Sequence, residues 1–254
     1  MQSESSVLRD FTVDRRVWLL SSVALIIGIG ATLLALLLLR LIALSTNLFY
    51  YHRFRLLSIS PAGSSLGPWM VIVPVIGGLL VGLMARYGSD KIRGHGIPEA
   101  IEAILLHRAR VEPKIAILKP ISAAIAIGSG GPFGAEGPII MTGGAFGSLI
   151  AQWIYLTDAE RTTLLVAGAA AGMSATFGTP VAAILLAVEL LLFELRPRSL
   201  APVAIASATA AILRGYLLGP GPLFRMPESA TWIGFHLQSV LCCWVRLSVS
   251  QQQA

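Results

Sequence analysis

Gly128-Ser129-Gly130-Gly131-Pro132-Phe133-Gly134-Ala135-Glu136-Gly137-Pro138 joins two apolar stretches, 121–135 and 137–157, that contain no charged residue. Glycine and proline at this density end helices, and an open backbone is tolerated at bilayer depth only where protein or a watery cavity satisfies its polar groups. Glu136 is the outlier of the chain, because a charge at that depth costs ~2.5 kcal/mol or more on insertion scales. Two readings follow: a carboxylate that faces a cavity and works there, or a loop carboxylate at the membrane surface that caps the next helix.

Outward from this stretch, further uncharged runs occupy 17–39, 56–85, 162–188 and 199–213. At about 1.5 Å per residue the long ones can cross a hydrocarbon core of about 30 Å, whereas 121–135 and 199–213 are short and imply partial crossings. Over the whole chain 55% of residues are hydrophobic and 13% charged, with a mean hydropathy of +0.76. A soluble domain carries roughly 25% charged residues, so lipid is the main solvent. The fold class is all-α, a multi-pass integral membrane protein.

Helices are expected over 14–49, 67–86, 98–106, 113–127, 137–155, 158–175, 180–193 and 198–217, with a polar segment at 1–13. Pro98, Pro138 and Pro180 each fall where a first helical turn tolerates proline, directly after glycine-containing loops. The run Ala167-Gly168-Ala169-Ala170-Ala171-Gly172 spaces its glycines four apart, which reads as a close helix contact. The run 17–39 is long enough to span and is read as a retained helix, not a secretory signal.

A net charge of +6 does not mark a nucleic-acid binder, because the basic residues flank apolar runs instead of forming a stripe with interleaved aromatics. Cys242 and Cys243 are adjacent and build neither a disulfide framework nor a spaced metal cluster. Enzymatic chemistry has little to stand on: His52, His95, His107 and His236 are dispersed, zinc-protease and phosphate-loop motifs are missing, and Ser129 is a nucleophile by composition alone. No cofactor is expected.

A helix N-terminus exposes unpaired N–H groups and a partial positive charge, so anions bind there. The helix starts at Pro98 and Pro138 fit such a site, and an ionised Glu136 could occupy the anion position as a substitute, leaving it once protonated. Gly94-His95-Gly96-Ile97-Pro98-Glu99-Ala100 resembles the Gly-Ser-Gly-Ile-Pro-Glu stretch of CLC chloride channels and chloride–proton antiporters, and Gly134-Ala135-Glu136-Gly137-Pro138 resembles their Gly-Lys/Arg-Glu-Gly-Pro. The run 164–189 is similar to the segment that follows the second motif. The resemblance covers roughly 17–226 and implies the first half of the CLC inverted-repeat fold, with tilted and partially spanning helices over 14–226.

What the resemblance implies is chloride or another small anion as transported ligand, a homodimer with a pore in each subunit, a gating role for Glu136, and anion contacts from Gly94, His95, Gly96, Ile97, Pro98, Gly134, Ala135, Gly137 and Pro138. Three departures qualify it. His95 stands where the family has serine: an imidazole can donate one N–H to an anion and adds charge when protonated, though a turn histidine is an equal reading. Ala135 replaces a basic residue and weakens the anion field. Aligned on Thr179-Pro180, Glu189 falls one position before the family's inner proton glutamate and Leu190 falls on it, so Glu189 reads as an interface or structural residue, with a displaced proton relay as the alternative.

The second family half is not evident, and 227–254 reads as a divergent tail, disordered or frameshifted. The competing expectation is accordingly a truncated, non-conducting remnant, or a subunit that needs another half. The lean loops and the lack of a targeting peptide point to a bacterial plasma membrane.

Overall fold

The computed structural model describes residues 15–57, 59, 61, 64, 66–193 and 196–219. They fall within one compact unit, 1–220; the second unit, 221–254, and with it the expected tail and the cysteine pair, lies outside the described residues, as do Glu194 and all of 1–13.

Among the described residues every regular element is helical. In order they are α1 (Arg15–Tyr51), a 3-10 turn (Gly67–Val71) leading into α2 (Ile72–Tyr87), a second 3-10 turn (Asp90–Ile92), α3 (Ile97–Leu105), α4 (Pro113–Gly128), α5 (Glu136–Trp153), α6 (Asp158–Phe177), α7 (Pro180–Ala187) continued by a π turn (Val188–Leu192), and α8 (Pro197–Leu217). The expected helices are all present, with two internal differences. The run at 67 opens as a 3-10 turn with Pro68 near its start, and the run from 180 widens into a π turn closed by the Phe193 N–H on the Val188 carbonyl at 3.0 Å.

With 37 residues, α1 is roughly 55 Å long and exceeds the hydrocarbon thickness, so it must tilt. It buries a stripe of Ala24, Ile27, Ala31, Ala35 and Leu38 and turns Leu25, Ile26, Ile29, Leu33 and Leu37 outward. The 3.6-residue period makes those two faces. Among the described residues three helical stretches, Arg16–Tyr51, Gly67–Tyr87 and Pro197–Leu217, are long and apolar enough to cross a membrane.

The centre of the bundle is the crossing of α5 and α6. Every residue of α6 from 163 to 176 is buried, which suits a helix that is apolar or small all round. Small residues let the two backbones touch: a Cβ on Gly168 would sit on the Gly143 carbonyl, and one on Gly172 would lie 2.9 Å from the Ile139 carbonyl oxygen. Around this pair pack α1, α4, α7 and α8. Their buried hydroxyls are satisfied on carbonyls, Ser174 on Ser207 at 2.8 Å and Ser207 on Pro180 at 3.1 Å, as a low-dielectric interior demands.

One end of the bundle is tied by charge. Arg16 at the start of α1 pairs with Glu160 in the first turn of α6 at 3.0 Å, and Lys91 pairs with Glu112 at 2.9 Å. Arg161 spans Asp158 and the carbonyl of Arg108, fastening a loop in which Arg108 and Ala109 adopt φ of 53° and 56°. Ser148 of α5 holds the same loop, donating to the Ala109 carbonyl at 2.6 Å and accepting the Val111 N–H at 3.1 Å. Glu112 sits in this polar layer, and its hydrogen bond to Lys91, reinforced by that charge, holds its carboxyl below the usual range.

Candidate functional site

Two loops meet beneath α2. The first, 93–96, turns on Gly94 and Gly96, with φ of 93° and 105°, a region that only glycine enters without strain. It runs into α3, where Glu99 at the third position accepts the Gly96 N–H at 2.7 Å and caps the helix. The second loop, 129–135, leaves α4 and enters α5. Tyr50 of α1 fixes its start by donating to the Ser129 carbonyl at 2.9 Å.

Helix α5 begins at Glu136, one residue earlier than the proline placement predicts. The first intrahelical bond runs from Ile139 N–H to the Ala135 carbonyl at 3.1 Å, so the amides of Glu136 and Gly137 precede the ladder. The two loops touch at this point. A Cβ on Gly137 would overlap the His95 carbonyl and lie 2.8 Å from its Nδ1, and one on Gly96 would overlap the Gly137 carbonyl. The close approach of the two motifs depends on both glycines lacking side chains.

Between the loops, α2 and α4 lies a cavity of about 350 Å³. Gly94, His95, Gly134 and Pro138 line it, with Ser122 and Ser129 adding hydroxyls and Pro74, Gly78 and Val81 an apolar wall. Gly96, Ile97, Pro98, Ala135, Glu136 and Gly137 do not line it. Glu136 is half-buried on the first turn of α5, and among the described residues no hydrogen bond or ion pair reaches its carboxylate. His95 is exposed, as are Pro98 and Gly134.

Sequence reasoning missed Lys119. This side chain on α4 is almost fully buried, with Nζ donating to the Gly94 carbonyl at 2.9 Å and the Ile92 carbonyl at 3.1 Å and lying 3.8 Å from Glu99. It staples the first loop and places a cation at the cavity wall, where Arg93, paired with Asp90 at 3.3 Å, supplies a second. The signal was available: after Lys114 in its first turn, α4 has Lys119 as its one further charge, set among apolar residues, the criterion that singled out Glu136.

The other flagged residues lie elsewhere. Glu189 is exposed on the π turn, while Leu190 packs against the core. The Ser129 hydroxyl is buried and donates to the Ala126 carbonyl at 3.1 Å. No group of three or more metal-ligating side chains gathers among the described residues.

Helices long and apolar enough to cross a membrane, packed around a glycine-framed cavity, define the class as a helical membrane protein. The family model for voltage gated chloride channels matches residues 77–245. The chain belongs to the voltage-gated chloride channel (CLC) family, and it is an integral membrane protein. It is similar to a putative chloride channel protein ClcB-like of Ralstonia nicotianae, 30% identical over 63% of this chain and 39% of the relative. It is also similar to the H(+)/Cl(-) exchange transporter ClcA of Vibrio campbellii, at 32% over 66% and 37%. A crystal structure of a slow cyanobacterial Cl-/H+ antiporter shares the fold with a TM-score of 0.64 at 21% identity, covering 87% of this chain and 53% of that one. The match thus spans about 40% of the length of the bacterial relatives and 21–24% of the plant ones.

Proposed function

We propose that this chain forms an anion pathway through a membrane, gated by a glutamate, with chloride as the first candidate ion. The observation that carries this reading is the meeting of the 93–96 loop with the start of α5 beside a cavity that Lys119 and Arg93 help to line. Helix-start amides and nearby cations stabilise an anion without a rigid counter-charge, so the ion can also leave. Glu136 sits on the first turn of α5 with no partner among the described residues, so its carboxylate can compete with the ion when charged and withdraw when protonated.

Gly94, His95, Gly96, Ile97 and Pro98 on one side, and Gly134, Ala135, Gly137 and Pro138 on the other, form the proposed anion frame, with Glu136 as gate. The names of the relatives favour chloride but divide between channel and proton-coupled exchange. A bacterial plasma membrane and a dimeric state belong to the same proposal.

The test is chloride efflux from liposomes holding the purified chain. Efflux that loses its pH dependence on Glu136→Ala supports the gate. Its absence from the chain alone, with recovery on adding the other half of a relative's fold, favours the second reading, a subunit completed by another half. The exposure of His95 in the cavity wall, and of Pro98 at the start of α3, speaks for that second reading. No efflux under either condition would sink the proposal.

A further inference from the structure

The far end of α1 gathers positive charge that no acidic group answers. After Tyr51 the chain reverses at His52, whose φ is 51°, and the segment 52–57, His-Arg-Phe-Arg-Leu-Leu, folds back beside the helix it has just left. Asn47, fully buried on α1, holds this strap: its Nδ2 donates to the Arg55 and Leu57 carbonyls, each at 2.8 Å. Arg40, roughly two turns earlier on α1, donates to the Leu56 carbonyl at 3.3 Å, one of its five N–H donors. Every residue from 52 to 57 is exposed, Phe54 at 83% and Leu57 at 65%. Ordering a segment costs backbone entropy, and these side chains gain no packing inside the protein to offset it.

The charge is equally unanswered. Between Asp14 and Asp90 the chain has no acidic residue, and among the described residues no ion pair or hydrogen bond engages the side chain of Arg53 or Arg55. Elsewhere Arg16, Lys91, Arg93, Arg108 and Arg161 each meet a carboxylate. Depth adds a second constraint. The uncharged run 17–39 covers roughly 35 Å of helix, close to the hydrocarbon thickness once tilted, so Arg40 stands where acyl chains give way to headgroups, and the strap returns toward that level.

We infer that Arg40, Arg53 and Arg55 seat the headgroup of an anionic phospholipid, with Phe54, Leu56 and Leu57 set into the acyl boundary beside it. A guanidinium offers paired N–H donors to phosphate oxygens. Basic residues interleaved with exposed apolar ones match a boundary whose headgroups are charged and whose tails are not. Near an anionic lipid surface each arginine is worth about a fivefold gain in binding. None of these residues lines the cavity between α2 and α4, so the inference stands apart from the anion pathway.

The experiment is native mass spectrometry of the purified full chain in nonionic detergent, titrated with phosphatidylglycerol and, separately, with phosphatidylcholine of the same chain length. The expected result is a preference for phosphatidylglycerol that falls about 25-fold in Arg53→Gln/Arg55→Gln, two charges at about fivefold each. Arg110→Gln/Lys114→Gln removes two exposed charges around the start of α4 and should leave the preference unchanged. Asn47→Ala keeps all three arginines and releases the strap, so it should weaken phosphatidylglycerol binding severalfold, with helical circular dichroism checking that each variant folds. Wild-type binding without preference, a preference kept in Arg53→Gln/Arg55→Gln or in Asn47→Ala, or an equal loss in Arg110→Gln/Lys114→Gln overturns the inference. Displacement of the lipid by inorganic phosphate at matching concentration would make the ligand a free anion and overturn it as well. A lipid-free dimer that Arg53→Gln/Arg55→Gln dissociates would assign the strap to a second copy instead.

Discussion

Lys119 and Glu136 are both ionisable residues set in apolar helices, and the protein treats them in opposite ways. Lys119 is buried and every direction of its ammonium is used, on two carbonyls and a carboxylate. Glu136 is half-buried on a helix start with no partner among the described residues. A charge that is fully partnered acts as a fastener and cannot move without unfolding its surroundings. An unpartnered one at the positive end of a helix costs little to displace, which is what a competitor for a bound ion requires. Charge inside the bundle is therefore not one signal but two, separated by the accounting of hydrogen bonds.

The contrast can be broken most severely at Lys119. Lys119→Met strands the Glu99 carboxylate and frees the Ile92 and Gly94 carbonyls, and should cost about 3–5 kcal/mol, read as a large fall in thermal midpoint in detergent. The double variant with Glu99→Gln should recover part of that loss, since the stranded charge is gone. Gly137→Ala comes next. Its Cβ would meet the His95 backbone, so overpacking of about 1–3 kcal/mol is expected, together with displacement of the first loop. Glu136→Gln should change stability by no more than about 0.5 kcal/mol while altering anion flux, and a cost like that of Lys119→Met would erase the distinction.

The smallest effect lies at the polar end. Lys91 holds the Glu112 carboxyl below its ordinary range, so ionised Glu112 contributes stability above its unfolded titration point, and this is lost as pH falls through the lower folded value. Because the pair is exposed, its worth is about 0–1 kcal/mol. Lys91→Met should move the Glu112 titration upward by NMR, with little change in midpoint.

Much of this architecture could be read from the residues. Apolar runs and proline placement located the helices to within a few positions, because lipid leaves a chain few alternatives to intrachain hydrogen bonding. The two glycine-framed motifs marked the loops that meet. What could not be read was which side chains converge. Lys119 and Glu99 are twenty residues apart, and only the return of the loop ahead of α3 onto α4 pairs them. Glu136 could be flagged for its depth, but its lack of partners is a property of the packed neighbourhood. The π turn was equally hidden, since no residue in Val188–Leu192 announces a bond of longer reach.

That widened turn has an implication for comparing this chain with its relatives. A bulge holds one surplus residue, so counting positions from Pro180 assigns the wrong azimuth to everything beyond it: each residue is rotated by about 100° from where a regular helix would aim it. Whether Glu189 or Leu190 corresponds to a given position in another family member is thus a question of helical phase and not of tally. Deleting a single residue between 188 and 192 is the manipulation that would reset that phase.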